Sequence, residues 1–210
     1  MNKLAYLCDN YGSDKGSLDY SGTHAYPWNP HTYTTYYEML FCNRIETTKC
    51  IFECGLGTNN ESYKSNMTKT GKPGASLRVW RDYFVNAEII GCDIDDGVLF
   101  TEDRITTYQL DQTDTIQAVE LFKSLDKKFD IFIDDGLHEA HAGFTLYQTA
   151  KHFMQTDSIY VIEDVKQHDL TIYRQLFNQA EVIIDVIELG RPNEQVFDNT
   201  LIVIKNKETV

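Results

Sequence analysis

The chain has 210 residues, of which 32 are acidic and 19 basic, so its formal net charge is −13. That length suits one domain with at most a small appendage, and the 12% of aromatic residues argues against disorder. The acidity argues against nucleic acid or an anionic membrane as a partner, because both bind basic surfaces. No apolar run approaches the length of a membrane span, and the first residues lack the apolar core of a signal peptide. We therefore expect a soluble, cytoplasmic protein.

The five cysteines indicate a reducing compartment. Their number is odd and no two of them form a CxxC pair, which disfavours a disulfide framework or a zinc site. In the predicted strand KCIFEC, alternation places Cys50, Phe52 and Cys54 on one face. We expect buried, reduced thiols.

The first 46 residues differ from the rest of the chain. They are rich in tyrosine, are punctuated by glycine and serine, and contain one predicted helix near Thr34–Arg44. The composition fits either a lid or cap that faces the substrate or a packed N-terminal extension. Tyr33 and Tyr37 are one helical turn apart, which favours core packing, and a surface or packing role is favoured for His31. We predict an N-terminal cap over 1–46 and a ligand-binding domain over 47–210.

From residue 49 onward, short β-rich runs alternate with segments of helical period. The predicted strands are Cys50–Cys54, Glu88–Cys92, Ile105–Gln109, Phe129–Ile133, Ile159–Ile162, Val182–Val186 and Leu201–Ile204. The predicted helices are Ser76–Phe84, Thr115–Leu125, Ala142–Met154 and Leu170–Gln179. This alternation predicts an α/β fold with a doubly wound, mostly parallel, seven-stranded sheet. No helix separates the last two strands, which predicts a C-terminal antiparallel hairpin.

A glycine turn follows the first predicted strand. Gly55 and Gly57 would let the backbone approach a ligand at the carboxyl edge of the sheet. The third glycine of a dinucleotide fingerprint is missing, since Asn60 stands there. Glu53 precedes the turn, where it is poorly placed for a pyrophosphate and suits a cationic or hydroxyl-rich ligand.

Polar residues also end the next two predicted strands. Asp93 could accept hydrogen bonds from ribose hydroxyls, in competition with Asp95, and Asp111 with Gln112 could meet an adenine edge. Acids at three successive strand ends beside a glycine turn favour a nucleoside site without phosphates. S-adenosylmethionine, which carries a ribose, an adenine and a sulfonium cation, has this chemistry.

Two further acid pairs follow the fourth and fifth predicted strands. The run DDGLH contains Asp134, Asp135 and His138, and the run IED contains Glu163 and Asp164. Neighbouring parallel strands would bring both pairs to one edge of the sheet, where carboxylate oxygens suit Mg²⁺. A histidine close by could take a proton from a metal-bound hydroxyl.

These motifs together resemble those of the metal-dependent, Rossmann-like class I methyltransferases. The resemblance rests on YGSDKG at 11–16, HTYT at 31–34, ECGLG at 53–57, GCDID at 91–95, DDGLH at 134–138 and IED at 162–164. The family includes the mycinamicin-type macrolide sugar O-methyltransferases and relatives in polysaccharide gene clusters. The resemblance implies S-adenosylmethionine as the methyl donor and Mg²⁺ as the metal.

The resemblance also implies roles for individual residues. The metal ligands would be Asp135, Glu163 and Asp164, and the catalytic residues would be His138, as general base, and Asp135. The donor-site candidates are Asp14, Lys15, Glu53, Gly55, Gly57, Asp93, Asp111, Gln112 and Asp134. The expected partner is a small, sugar-like acceptor, and a homo-oligomer is left open.

Three departures from the family pattern bear on the acceptor. The polar stretch 58–74 is inserted after the glycine turn, either as a mobile loop over the donor site or as an inert surface loop. Leu137 replaces a small residue, and the additional N-terminal domain of the macrolide enzymes is not expected here. Alternatives to a sugar hydroxyl are a nitrogen or phosphoryl oxygen acceptor, a cephalosporin hydroxylase-like activity, and a non-catalytic nucleoside- or metal-binding module.

Overall fold

One mixed sheet forms the centre of the computed structural model, which describes residues 2–190 and 197–205. The strands are β1 (Cys50–Cys54), β2 (Glu88–Asp93), β3 (Thr101–Glu102), β4 (Ile105–Gln109), β5 (Phe129–Asp134), β6 (Met154–Ile162), β7 (Asp185–Glu188) and β8 (Thr200–Lys205). The helices are α1 (Lys3–Tyr11), α2 (Tyr33–Phe41), α3 (Ala75–Tyr83), α4 (Thr115–Leu125), α5 (Ala140–Ala150) and α6 (Leu170–Gln179).

The strand order is β3-β4-β2-β1-β5-β6-β8-β7. The five strands β4, β2, β1, β5 and β6 run parallel, whereas β3, β8 and β7 pair antiparallel with their neighbours. The prediction of a mostly parallel sheet with a C-terminal hairpin is therefore confirmed. The eighth strand, β3, is only two residues long, too short to show a period in the sequence. Residues 191–196 of the predicted hairpin loop lie outside the described residues.

The prediction of a single N-terminal helix was wrong, because α1 precedes α2. The Asn2 side chain caps α1 by accepting a hydrogen bond from the Ala5 amide at 2.8 Å, and Gly12, whose φ is 80°, follows the last helical residue. A nine-residue helix is marginal on its own in water. Its stability comes from packing against α3, which a local pattern does not show.

Several predicted boundaries also shift; β6 begins at Met154 and not at Ile159, and α2 ends at Phe41 and not at Arg44. The helix predicted to end at Met154 ends at Ala150, and Met154 already opens β6. The strand predicted from Val182 starts at Asp185, because the Val182 amide donates to the Phe177 carbonyl at 2.9 Å and prolongs the end of α6.

The sheet separates two hydrophobic clusters. Cys50, Phe52 and Cys54 lie in one of them, as predicted. The other contains Tyr33 and Tyr37, so the packing role predicted for these tyrosines is confirmed and the N-terminal segment shares the core of the sheet. All five cysteines are free thiols; Cys42 is exposed, contrary to the expectation that they are all buried.

Among the described residues, no helix is long and apolar enough to cross a membrane.

Candidate functional site

The candidate site lies where the parallel strands end together. Hydrogen bonds continue the ladder beyond the strands: the Gly55 amide donates to the Cys92 carbonyl, the Asp135 amide to Cys54 and the Glu163 amide to Asp134, at 2.8–2.9 Å. Because the ends of β2, β1, β5 and β6 are neighbours, all the predicted acidic motifs meet at this edge.

Both predicted turn glycines adopt positive φ, 93° for Gly55 and 76° for Gly57. A Cβ atom on Gly55 would lie 2.0 Å from the Asp135 carbonyl oxygen, so the turn passes directly against the loop after β5. A Cβ atom on Gly57 would meet the Met67 sulfur at 1.9 Å. The glycines therefore permit close packing of the protein on itself as well as access for a ligand.

Asp93 holds the glycine turn in place. Its carboxylate accepts hydrogen bonds from the Leu56 amide at 2.8 Å and from the Asp95 amide at 3.0 Å. Burial raises the pKa of Asp93, and these amides oppose that effect. Asp95 instead accepts a hydrogen bond from the Thr58 hydroxyl and one from the Gly97 amide.

Gln112 and Asp134 connect the loops after β4 and β5. The Gln112 amide group donates to Asp134 Oδ1 at 2.7 Å, and its oxygen accepts from the Leu137 amide at 2.7 Å. Asp134 is only 2% exposed, and burial raises its pKa to about 7. Both side chains thus shape the loop that carries Asp135 and His138.

Asp111 accepts hydrogen bonds from the amide and hydroxyl of Thr113.

A buried lysine contacts three of the predicted acids. The Lys15 ammonium lies 2.7 Å from Asp135 Oδ2 and 3.2 Å from Glu53 Oε1, and it also contacts Glu163 Oε2. Lys15 is 2% exposed, Glu53 0% and Glu163 1%. Burial disfavours charge on Lys15, but the three carboxylates outweigh it and hold its pKa well above the usual value. Glu53 also accepts a hydrogen bond from the Trp80 indole at 2.8 Å.

Asp135, His138 and Asp164 form the part of the edge that faces open space. One ligand atom from each lies within 4.8 Å of the others. His138 Nε2 is 3.1 Å from Asp135 Oδ1, and its Nδ1 is 3.7 Å from Asp164 Oδ2. Burial opposes charge on the imidazole, but the two carboxylates raise its pKa to about 10. Both His138 and Asp164 have positive φ, at 56° and 53°, a conformation uncommon for side-chain-bearing residues.

The N-terminal segment supplies residues that the sequence analysis did not assign to the site. The Tyr33 hydroxyl donates to Asp164 Oδ1 at 2.7 Å, and the Tyr37 hydroxyl donates to Glu163 Oε1. His31 stacks on Tyr33 and places its Nε2 3.5 Å from Asp164 Oδ1. One sequence signal could have found Tyr33 and Tyr37. A tyrosine at a core position carries a hydroxyl that needs a hydrogen-bond partner, whereas a phenylalanine would fill the same space without one.

Asp14 orients a second aromatic side chain. Its Oδ2 accepts a hydrogen bond from the Trp28 indole at 2.7 Å. One face of Trp28 stacks on Tyr26, with ring centroids 5.4 Å apart.

Two cavities open at this edge and share Gly55, Gly57 and Asp135. The first, which we call the carboxylate cleft, has a volume of about 470 Å³. Its lining includes Asp14, Lys15, Trp28, His31, Asp135, His138 and Asp164. The second, the glycine-turn cavity, has a volume of about 260 Å³. Its lining includes Asp93, Ile94, Leu110, Asp111, Gln112 and Leu137.

Three of the predicted site residues line neither cavity: Glu53, Asp134 and Glu163. In this structure Glu53 is a partner of Lys15, and Asp134 is joined through Gln112 to the loop that follows β5. Glu163 is turned toward Lys15 and Tyr37 in this structure. Leu137 lines the glycine-turn cavity rather than the carboxylate cleft.

The inserted stretch 58–74 lies over the glycine turn. Lys64 and Ser65 line both cavities, and Lys64 forms an ion pair with Glu139. Hydrogen bonds hold the stretch to the turn, from the Met67 amide to the Thr58 carbonyl and from the Gly74 amide to the Leu56 carbonyl, both at 2.7 Å. Of the two alternatives left open for this stretch, its position beside both cavities favours a loop over the glycine turn.

The sheet order and the edge site define the fold of the class I methyltransferases, and comparison with solved structures agrees. The MycE methyltransferase from the mycinamycin biosynthetic pathway, in a structure with Mg and SAH, matches 98% of this chain and 55% of its own, with a TM-score of 0.70 and 25% identity. No family model matches the sequence.

The chain's homologues are sugar O-methyltransferases. It is 30% identical over 163 residues to the 8-demethyl-8-alpha-L-rhamnosyl tetracenomycin-C 2'-O-methyltransferase of Streptomyces olivaceus. This alignment covers 78% of this chain and 38% of that protein. It is 33% identical over 136 residues to the mycinamicin VI 2''-O-methyltransferase of Micromonospora griseorubida, covering 64% of this chain and 32% of that protein. The chain thus spans about a third of the length of these relatives.

Proposed function

We propose that this protein transfers a methyl group from S-adenosylmethionine to a hydroxyl of a sugar-like acceptor, with a divalent cation such as Mg²⁺ bound at the site. The observation that carries the proposal is the joining of two cavities at Gly55, Gly57 and Asp135, one lined by strand-end polar groups and the other by an acidic metal-type cluster. The homology to sugar O-methyltransferases and the MycE structure with Mg and SAH support it.

The glycine-turn cavity suits the donor. Asp93 lines it and Asp95 does not, which favours Asp93 for the ribose hydroxyls. Ile94, Leu110 and Leu137 supply apolar surface for the adenine ring. The sulfonium would lie where the two cavities join, next to the Asp135 carboxylate.

The carboxylate cleft suits a hard divalent cation. Asp135 and Asp164 present oxygen atoms to the cleft from adjacent strands, and oxygen ligands are what Mg²⁺ prefers. Glu163 would join them only by leaving Lys15. When bound, the cation would supply a Lewis acid that makes a coordinated acceptor hydroxyl more acidic.

His138 is the proposed general base. It lies beside Asp135 and lines the cleft, so it can take the proton of an acceptor hydroxyl held there. The C–S bond of the donor breaks as the C–O bond of the product forms, and His138 retains the proton. The two acids that raise the pKa of His138 are those proposed to hold the cation, and a positive charge between them would favour the neutral imidazole that a base requires.

Trp28 is the proposed acceptor platform. Asp14 and Tyr26 fix its orientation, and Trp28 lines the cleft that contains His138. A fixed aromatic ring suits the apolar face of a sugar, while the histidine and carboxylates suit its hydroxyls. We propose that the 1–46 segment acts as a cap on the acceptor side, because it contributes Trp28 and His31 to the cleft.

Calorimetry with S-adenosylmethionine, with Mg²⁺ or with chelator, tests the donor and metal assignments. We expect donor binding in both conditions, and turnover of labelled donor in a screen of nucleotide-linked sugars only with Mg²⁺. No donor binding would contradict the methyltransferase assignment. Metal-independent turnover would favour a nitrogen acceptor, and donor binding without turnover of any sugar would favour a binding module.

Trp28→Ala is expected to raise KM for the sugar accepted in that screen about fivefold, because the loss of aromatic contact is worth on the order of 1 kcal/mol. The affinity for S-adenosylmethionine, measured by calorimetry, should not change. Trp28→Phe is the matched control, since it keeps an aromatic face and should recover most of the acceptor affinity. An unchanged KM for Trp28→Ala would remove Trp28 from the acceptor site.

A further inference from the structure

Lys15 is a buried lysine whose ammonium is surrounded by carboxylates. Its side chain is 2% exposed, and its ammonium contacts carboxylates at the ends of three adjacent strands: Glu53 in β1, one residue before the strand ends, Asp135 directly after β5 and Glu163 directly after β6. No other basic side chain of the described residues forms an ion pair with Glu53 or Glu163. The ammonium is therefore the positive charge that these three strand ends share.

The two most buried acids depend on this contact. Glu53 and Glu163 are 0% and 1% exposed. Their other partners include the neutral donors Trp80, whose indole donates to Glu53, and Tyr37, whose hydroxyl donates to Glu163. Both carboxylates are closed off from solvent, so a charge on either one is compensated by protein groups and, among the basic side chains of the described residues, by Lys15.

Lys15 also contacts two of the three acids that the family resemblance implies as metal ligands. Its ammonium joins Asp135 to Glu163, so it bridges carboxylates that a divalent cation would otherwise draw together. Asp135 and Asp164 remain directed to the cleft, with side chains 23% and 16% exposed. A cation that enters the cleft therefore meets Asp164 and Asp135, the second of which it would share with Lys15, and not Glu163, which is turned away toward Lys15.

We infer that Lys15 is an internal counter-ion that keeps the site assembled without metal and competes with a divalent cation for Glu163. Two consequences follow for a variant without this ammonium. The metal-free fold loses stability because the two buried carboxylates, Glu53 and Glu163, are left without the ammonium that compensates them. Mg²⁺ then restores stability, because Glu163 is free to bind it. The first consequence is independent of the proposed function, whereas the second one rests on its metal site.

The test is thermal unfolding of Lys15→Met in chelator and in Mg²⁺, without donor or acceptor. Methionine keeps the length of the side chain and removes its charge. In chelator we expect Tm to fall by roughly 6–20 °C relative to the wild type, the size associated with breaking a buried ion pair in a chain of this length. Mg²⁺ should raise the Tm of the variant by more than it raises that of the wild type.

Lys64→Met is the matched control. Lys64 also lines the carboxylate cleft, but it is 74% exposed and pairs only with Glu139, which is itself exposed. Its Tm should change by no more than about 2 °C, and its response to Mg²⁺ should equal that of the wild type. A Tm for Lys15→Met in chelator equal to that of the wild type would overturn the inference.

A double variant separates charge compensation from a general packing role of Lys15. In Lys15→Met/Glu163→Gln, one of the uncompensated charges is removed and the hydrogen bond from Tyr37 can be kept. We expect its Tm in chelator to lie above that of Lys15→Met, and we expect it to fold even if the single variant does not. A double variant no more stable than Lys15→Met contradicts the inference. If the metal-free results hold while calorimetry detects no donor binding, the proposed function fails and the counter-ion role of Lys15 stands.

Discussion

His138→Ala is expected to lower kcat by about 10²–10⁴-fold when donor, acceptor and Mg²⁺ are saturating, as is typical for the loss of a general base. His138 Nε2 lies 3.1 Å from Asp135, and the side chain lines the cleft proposed to bind the acceptor. The acceptor hydroxyl must lose its proton when it is methylated. His138 lines the cleft proposed to bind the acceptor, so it can accept that proton. The measurement is the rate of product formation from labelled donor.

His141→Ala is the control for this prediction. His141 lies in the first turn of α5, three residues after His138, but it is exposed and lines neither cavity. We expect its kcat to match that of the wild type. The affinity of His138→Ala for S-adenosylmethionine should be unchanged, since His138 does not line the glycine-turn cavity. A near-wild-type kcat for His138→Ala would exclude it as the base.

Gly55→Ala is expected to destabilise the fold by roughly 2–4 kcal/mol and to weaken donor binding at least tenfold. Its φ of 93° disfavours any side chain, and the added Cβ would lie 2.0 Å from the backbone oxygen of Asp135. Backbone atoms cannot rotate away, so the glycine turn and the loop after β5 must separate. That movement would shift both cavities, because Gly55 lines each of them.

Urea unfolding and calorimetry with S-adenosylmethionine measure the two effects of Gly55→Ala. Gly190→Ala is the control, since a Cβ there meets no described atom within 4 Å and the residue lies outside both cavities. We expect it to leave stability within about 0.5 kcal/mol of the wild type and donor affinity unchanged. An equally mild effect of Gly55→Ala would show that the turn relaxes and that its glycine is not required.

The parallel core of the sheet was readable from local patterns. β1 and β4 have the predicted bounds, as do α4 and α6, because apolar runs and helical periods are properties of neighbouring residues. Elements stabilised mainly by distant contacts were not readable. The helix α1 depends on α3, and β3 has only two residues.

The sequence by itself determined that acidic motifs follow successive parallel strands and that these strand ends meet at one edge. Strand direction and a residue's position at the end of a strand are local properties, so the placement of Asp93, Asp135 and Asp164 at this edge was predictable. The same reasoning could not tell which way each side chain turns. Glu163 and Asp164 are adjacent in the chain, yet Glu163 is 1% exposed against Lys15 while Asp164 faces the cleft.

Only the tertiary structure decided how the charges of the site are balanced. Lys15 meets Asp135 and Glu163 across 120 and 148 residues of chain, and Tyr33 meets Asp164 across 131. Contacts over such separations leave no period in the sequence. They depend on the docking of the N-terminal segment on the sheet edge, which buries its tyrosines and places one ammonium among three carboxylates. The acidic motifs can be recognised from neighbouring residues in the sequence. The positive charge that balances them at the site comes from a distant residue and depends on the fold.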